Sequence, residues 1–251
     1  MYKSISNTCT MSLRCLRLSF RNLDVLIISA VMPIILMLLF VFILGAGAYD
    51  RQEYINFLVP SVIILSVGYC STLTAGSINS DMKKGIIDRF RSMPLFHPSV
   101  LAGHVAASAI RTCISTILVL GVAVLIGFRP AAGILAWLGV AGILFLFMLV
   151  ITWVSVFFGL IANTPEGAGA FGFVMLFLPY LSSGFTPLET LPTPIRAFAT
   201  HQPLTPIIES LRGLTMGAQV NGYILAAVIW CGVLLTGAYA AANFVYRRRV
   251  G

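Results

Sequence analysis

The sequence predicts an all-α, polytopic membrane protein, and three observations carry that prediction. Hydrophobic residues make up 59% of the 251 and charged residues only 10%, where a soluble domain runs nearer to about 45–50% and a quarter. Mean hydropathy is +0.97. Uncharged apolar runs of about 18 residues or more recur along the chain, each long enough to cross a bilayer core as a helix. Alternating polarity of the kind a transmembrane barrel needs is missing, and lipid offers no partners to the backbone of an open strand. The same figures exclude a soluble enzyme, a disordered chain and a nucleic-acid-binding module.

Taken in order, the chain opens on Leu13, Leu16, Phe20 and Leu23 at helical spacing, with Arg14, Arg17 and Arg21 on an adjacent stripe. That pattern fits an amphipathic helix in the head-group layer, its cations reaching anionic lipid phosphates. A positive flank that only sets topology is the alternative. The first span is Val25–Gly45; Asp24 stands directly before it and no small-residue cleavage site closes it, so it reads as a mature helix and not a signal peptide. The second is Phe57–Gly76. The cytoplasmic loop 77–99 follows, where Ile86, Phe90 and Met93 form one face and Pro94 stops the helix. Such a helix suits a soluble partner's groove, or it is a solvated connector; the residues alone leave both open.

The third span covers about 112–128 and can start nearer Val100, and the fourth lies within Ile134–Ala162 at about 139–162. The fifth is Gly167–Phe185, opened by the tight turn Asn163-Thr-Pro-Glu-Gly167, with Glu166 placed to interact with the helix dipole. Gly167, Gly169 and Gly172 permit close helix approach, and Pro33, Pro60 and Pro179 interrupt three spans. The outer segment 186–222 holds Pro187, Pro192, Pro194, Pro203 and Pro206 and a short helix near Pro206–Leu214, which suggests a structured cap or re-entrant element. The sixth span is Tyr223–Tyr246. Six spans form a single transmembrane domain across residues 1–251.

Basic residues set the orientation. With the N-terminus inside, eleven fall on the cytoplasmic side (Lys3, Arg14, Arg17, Arg21, Lys83, Lys84, Arg89, Arg91 and Arg247 to Arg249) and four outside (Arg51, Arg129, Arg196, Arg212). Both termini are then cytoplasmic in a cell membrane. The net charge of +8 is a topology signal and calls for no nucleic acid. None of the five cysteines lies in an outer segment, so no disulfide framework is expected. Arg111, at the edge of the third span, is expected to snorkel towards the cytoplasmic boundary, with a substrate or partner contact as the lesser reading.

Chemistry is harder to find. A phosphate-cradling loop needs a Gly-Lys pair, and the chain has none. His97, His104 and His201 are not spaced for a zinc site. Ser182-Ser-Gly184 lacks the leading glycine of a nucleophile elbow. The span interiors carry no carboxylates for a proton relay. Catalysis, metal binding and ion coupling therefore all lack their residues. The polar specks of the second and fifth spans, Ser66, Tyr69, Ser71, Thr72, Tyr180, Ser182 and Ser183, are the candidates for lining a path.

Within the cytoplasmic loop, Lys84-Gly-Ile-Ile-Asp-Arg-Phe-Arg-Ser-Met-Pro94 resembles the inner-loop signature of the type-2 family of ABC exporter permeases, especially its daunorubicin/doxorubicin-resistance branch. The Arg-rich N-terminal helix, Asn163-Thr-Pro-Glu166 with Ala170-Phe-Gly-Phe173, and Ser182-Ser-Gly-Phe-Thr-Pro-Leu-Glu189 with Pro203-Leu-Thr-Pro206 agree in the right order. Lys84 departs from the acid many members carry before the glycine. The resemblance implies a permease without its own ATPase site, paired with a second copy or paralogue and with two separate ATPase subunits that bind ATP and Mg²⁺. It implies a coupling helix over Asp81–Pro94, with Asp81, Lys84, Gly85, Asp88, Arg89, Arg91 and Pro94 facing the ATPase. The cargo would be a hydrophobic or amphipathic drug, antibiotic or lipid-like compound. A polysaccharide or lipid-linked glycan exporter, an ion-coupled secondary transporter and a six-span protease are the alternatives.

Overall fold

A computed structural model describes residues 23–45, 50–85, 98–220 and 222–250. The expected interfacial helix with Arg14, Arg17 and Arg21, and the loop stretch with Asp88, Arg89, Arg91 and Pro94, lie outside those residues. Among the described residues the secondary structure is entirely helical. Helix α1 (Leu23–Leu39) runs into a π-helical turn (Phe40–Leu44). The long helices are α2 (Arg51–Lys83), α3 (Pro98–Leu125), α4 (Ile134–Ile161) and, at the end of the chain, α9 (Tyr223–Val250). Between α4 and α9 come the short α5 (Pro165–Gly169), α6 (Phe171–Phe177), α7 (Thr193–His201) and α8 (Leu204–Met216). Four helices, α2, α3, α4 and α9, are long and apolar enough to span a membrane, and a shorter apolar stretch covers Ser29–Ile43.

Helix α2 is the hub. Of its most apolar window 83% is buried, against 33% for α3 and α4 and 11% for α9. The outer faces of the others are left to lipid, which is why Leu125, Ile134 and Leu225 are exposed. The ends of α2 are well specified. The Asp50 side chain accepts from the Gln52 amide at 3.2 Å, Glu53 sits in the first turn and Lys83 in the last, each suited to the helix dipole. At Gly85 φ is +63°, a left-handed turn that ends the helix.

Three expectations need correction. The second helix does not stop at Gly76 but carries on through Lys83, so Asp81 belongs to its last turn; a single helix from Asp81 to Pro94 is ruled out by the turn at Lys84–Gly85. The fifth stretch is not one helix over 167–185. It breaks at Ala170 and ends in a 3-10 turn over Leu178–Leu181, because Gly-rich sequence propagates a helix poorly and Pro179 lacks the amide donor. The third helix begins at Pro98, well before 112.

Packing explains the glycines. A Cβ on Gly159 of α4 would meet the Ala75 carbonyl oxygen of α2 at 2.6 Å, and one on Gly172 of α6 would meet Thr72 Cγ2 at 2.7 Å. Both helices thus touch α2 closely enough that backbone replaces side chain. Asn79 of α2 donates from Nδ2 to the Gly159 and Ala162 carbonyl oxygens, at 3.1 and 2.6 Å, capping the end of α4. Helix α8 inserts Leu204, Ile207, Ile208 and Leu211 into the core formed with α2, α4 and α9.

Candidate functional site

Five successive turns of α2 present Tyr69, Thr72, Gly76, Ser80 and Lys84 to a cavity of about 640 Å³. The spacing of three to four residues places them on one helix face. Helix α3 supplies His104, Ala107 and Arg111 to the opposite wall, and the broken α5–α6 supplies Pro165, Gly169, Gly172, Phe173 and Leu176. The cavity is therefore graded. Tyr69, Leu73, Phe173 and Leu176 make its deeper part apolar, while Ser77, Ser80, Asp81 and Lys84 make the end near the C-terminus of α2 polar.

Charge in the wall is arranged by contact. His104 Nε2 lies 3.3 Å from Asp81 Oδ2, joining α3 to the last turn of α2, with both side chains largely withdrawn from solvent. Arg111 is only 6% exposed and donates from Nη2 to Thr74 Oγ1 at 2.8 Å and to the Cys70 carbonyl at 3.4 Å. Its side chain therefore turns into the bundle, against the expected snorkelling. Mid-helix placement on α3 puts a hydroxyl and a backbone carbonyl of α2 within reach, and a guanidinium gains more from those than from an apolar route to the interface.

The sequence candidates scatter into three groups. Tyr69, Thr72, Asp81, Lys84 and Arg111, assigned separate roles from sequence, line this one cavity. Ser66, Ser71, Ser182 and Ser183 are buried in packing instead. Ser66 Oγ pairs with Ser115 Oγ at 3.0 Å, Ser71 Oγ with Thr152 Oγ1 at 3.4 Å, and Ser182 Oγ donates to the Pro179 carbonyl. Tyr180 stacks on Phe185 with ring centroids 4.4 Å apart. Glu166 stands exposed in the first turn of α5, where Thr164 Oγ1 accepts from the Gly167 amide at 2.9 Å. Gly85 forms the turn beyond α2. His104 was missed, although its spacing of seven to Arg111 places both on one face of α3. No group of three or more His, Cys, Asp or Glu able to hold a metal occurs among the described residues.

A second polar centre sits at the opposite end of α2. Arg212 of α8 donates from Nε and Nη2 to the Phe57 carbonyl at 3.3 and 3.2 Å, from Nη2 to the Ser183 carbonyl at 2.9 Å, and from Nη1 to Glu209. Its guanidinium lies 3.8 Å from the Phe57 ring centroid. Burial lowers the proton affinity of Arg212, and Glu209 beside it opposes that shift. Ser61 Oγ donates to the Gly184 carbonyl at 2.6 Å. Pro60 removes an amide donor from this part of α2, so the contacts from Arg212 and Ser61 brace a weakened stretch of helix.

Sequence relatives agree with this architecture. The chain is similar to the daunorubicin resistance ABC transporter permease protein DrrB1 of Streptomyces coeruleorubidus, 29% identical over 217 residues that cover 85% of this chain and 76% of the relative. It is 26% identical over 249 residues, 97% of this chain and 89% of the relative, to the "Probable doxorubicin resistance ABC transporter permease protein DrrC" of Mycobacterium tuberculosis. The family model for the ABC-2 type transporter matches residues 6–216. With most of its length inside that match, this all-helical, lipid-facing chain belongs to the ABC-2 type transporter permease family.

Proposed function

We propose that this chain is the membrane permease of an ATP-driven exporter that moves a hydrophobic or amphipathic compound outward. The observation that carries the reading is the graded cavity, apolar inside and charged at its mouth, placed directly before the loop where a coupling helix is expected. Family membership and the drug-resistance names of the relatives support it. ATP and Mg²⁺ would act on two separate ATPase subunits, and a second copy or paralogue of the permease completes the translocation unit. Six spans, with both termini in the cytoplasm, put the cavity mouth on the cytoplasmic side. The residues over 86–94, with Asp88, Arg89 and Arg91, would receive the ATPase, while Asp81 and Lys84 stand at the junction of that contact with the cavity.

The test uses inside-out vesicles carrying this chain with its ATPase and a fluorescent anthracycline. ATP should drive uptake, and Asp88→Asn with Arg89→Gln should abolish it and lower co-purification of the ATPase while membrane insertion is kept. Uptake that survives the double substitution, or that collapses with an ionophore and ignores ATP, refutes the reading in favour of ion coupling.

A further inference from the structure

We propose that the cavity between α2, α3 and α5–α6 binds an amphiphile with an anionic head group. The head would sit near Lys84 and Arg111 and the apolar body against Tyr69, Phe173 and Leu176. The inference rests on the exporter reading for its place in transport but not for its binding chemistry.

Three features of the wall point to this ligand. Among the cavity's charged side chains, Arg111 and Lys84 are cations and Asp81 is the single carboxylate, and that carboxylate lies against His104 at 3.3 Å. The wall is therefore left positive. Glu166, one residue past the lining Pro165, is exposed and takes no part in the lining. The terminal carbonyls of α2 add a partial negative charge of about half a unit, less than the full charge of Lys84 beside them. Arg111 is held by Thr74 and Cys70, so its charge is preorganised at the wall, where the low local dielectric strengthens attraction to an anion.

The shape sets the second half of the ligand. From Tyr69 to Lys84 the lining face of α2 rises about 22 Å at ~1.5 Å per residue, changing from aromatic and aliphatic to hydroxyl and ammonium. A compact inorganic anion would leave the apolar end unfilled. A chain with a charged end fills both. Gly76, Gly169 and Gly172 keep the middle free of side chains, leaving room for the body of the ligand to pass.

The test is carried out on the full chain in phosphatidylcholine nanodiscs, with thermal unfolding followed against the concentration of decyl phosphate, decyl maltoside, decyltrimethylammonium and inorganic phosphate. Decyl phosphate should stabilise at the lowest concentration. Lys84→Gln, on an exposed side chain that folding does not need, should raise its half-saturating concentration by about tenfold, the loss of one charge-assisted contact. Arg111→Lys should keep the ranking of the probes and Arg111→Gln should lose it. Equal response to the three decyl compounds, or preference for the cation, overturns the proposal. A response to inorganic phosphate equal to that to decyl phosphate overturns the amphiphile half and leaves an anion site alone. Anion-selective binding without ATP-dependent uptake would remove the exporter reading and keep the site, so the two failures are separable.

Discussion

Arg212 shows how one side chain joins elements that the sequence lists far apart. It ties α8 to the Phe57 carbonyl of α2 and to the Ser183 carbonyl ahead of the 3-10 turn at Leu188–Thr190. Replacing it with Leu strands both carbonyls and Glu209 in a buried setting, and should destabilise the protein by about 3 kcal/mol. Arg212→Lys should recover only part of this, because a point charge cannot reproduce the planar fork. Thermal unfolding in neutral detergent reads both. Asn79→Ala is the matching case at the other end of α2: it removes donors to Gly159 and Ala162 and should cost about 2 kcal/mol by the same measurement. From sequence neither residue stood out. An Asn in an apolar helix and an Arg in a proline-rich segment have many bland explanations, and only their partners distinguish these.

At the scale of elements, close contact against α2 makes a sharper prediction. Gly159→Ala drives a methyl into the Ala75 backbone oxygen, and backbone on both sides leaves nothing to move. Gly172→Ala meets the Thr72 side chain, which a second change can shorten. Overpacking of this kind costs about 1–3 kcal/mol, so each single variant should lower the unfolding temperature. Thr72→Ser should restore stability in the Gly172→Ala background and should do nothing for Gly159→Ala. The small residues before Phe173 were readable from sequence as a close-approach surface, and Gly172 serves α2 of the same chain. That the helix carrying them breaks at Ala170 was not readable: apolar composition over 167–185 suits a span equally well whether the backbone is continuous or interrupted, and the interruption depends on glycine, proline and the tertiary contacts together.

Across the whole molecule, basic residues and apolar runs make a prediction about topology. In a cysteine-free background, Thr190→Cys should react with an impermeant thiol reagent on intact cells, and Arg249→Cys only after the membrane is opened. The reverse pattern would invert the proposed orientation. Membrane character, helical class and family were legible because they depend on composition and local order: lipid forces backbone groups to pair within a helix, and apolar length sets which helices can cross. The ordered motifs from Lys84 to Pro94 and from Ser182 to Pro206 then carried the resemblance that the family match bears out. What tertiary structure alone decided was association across the bundle. It brought Tyr69 and Thr72 from one expected role, Asp81 and Lys84 from another and Arg111 from a third into a single cavity, added His104, and withdrew Ser66, Ser182 and Ser183 into packing. Sequence periodicity specifies which face of a helix a residue occupies; which neighbour covers that face is fixed by contacts between segments remote in the chain.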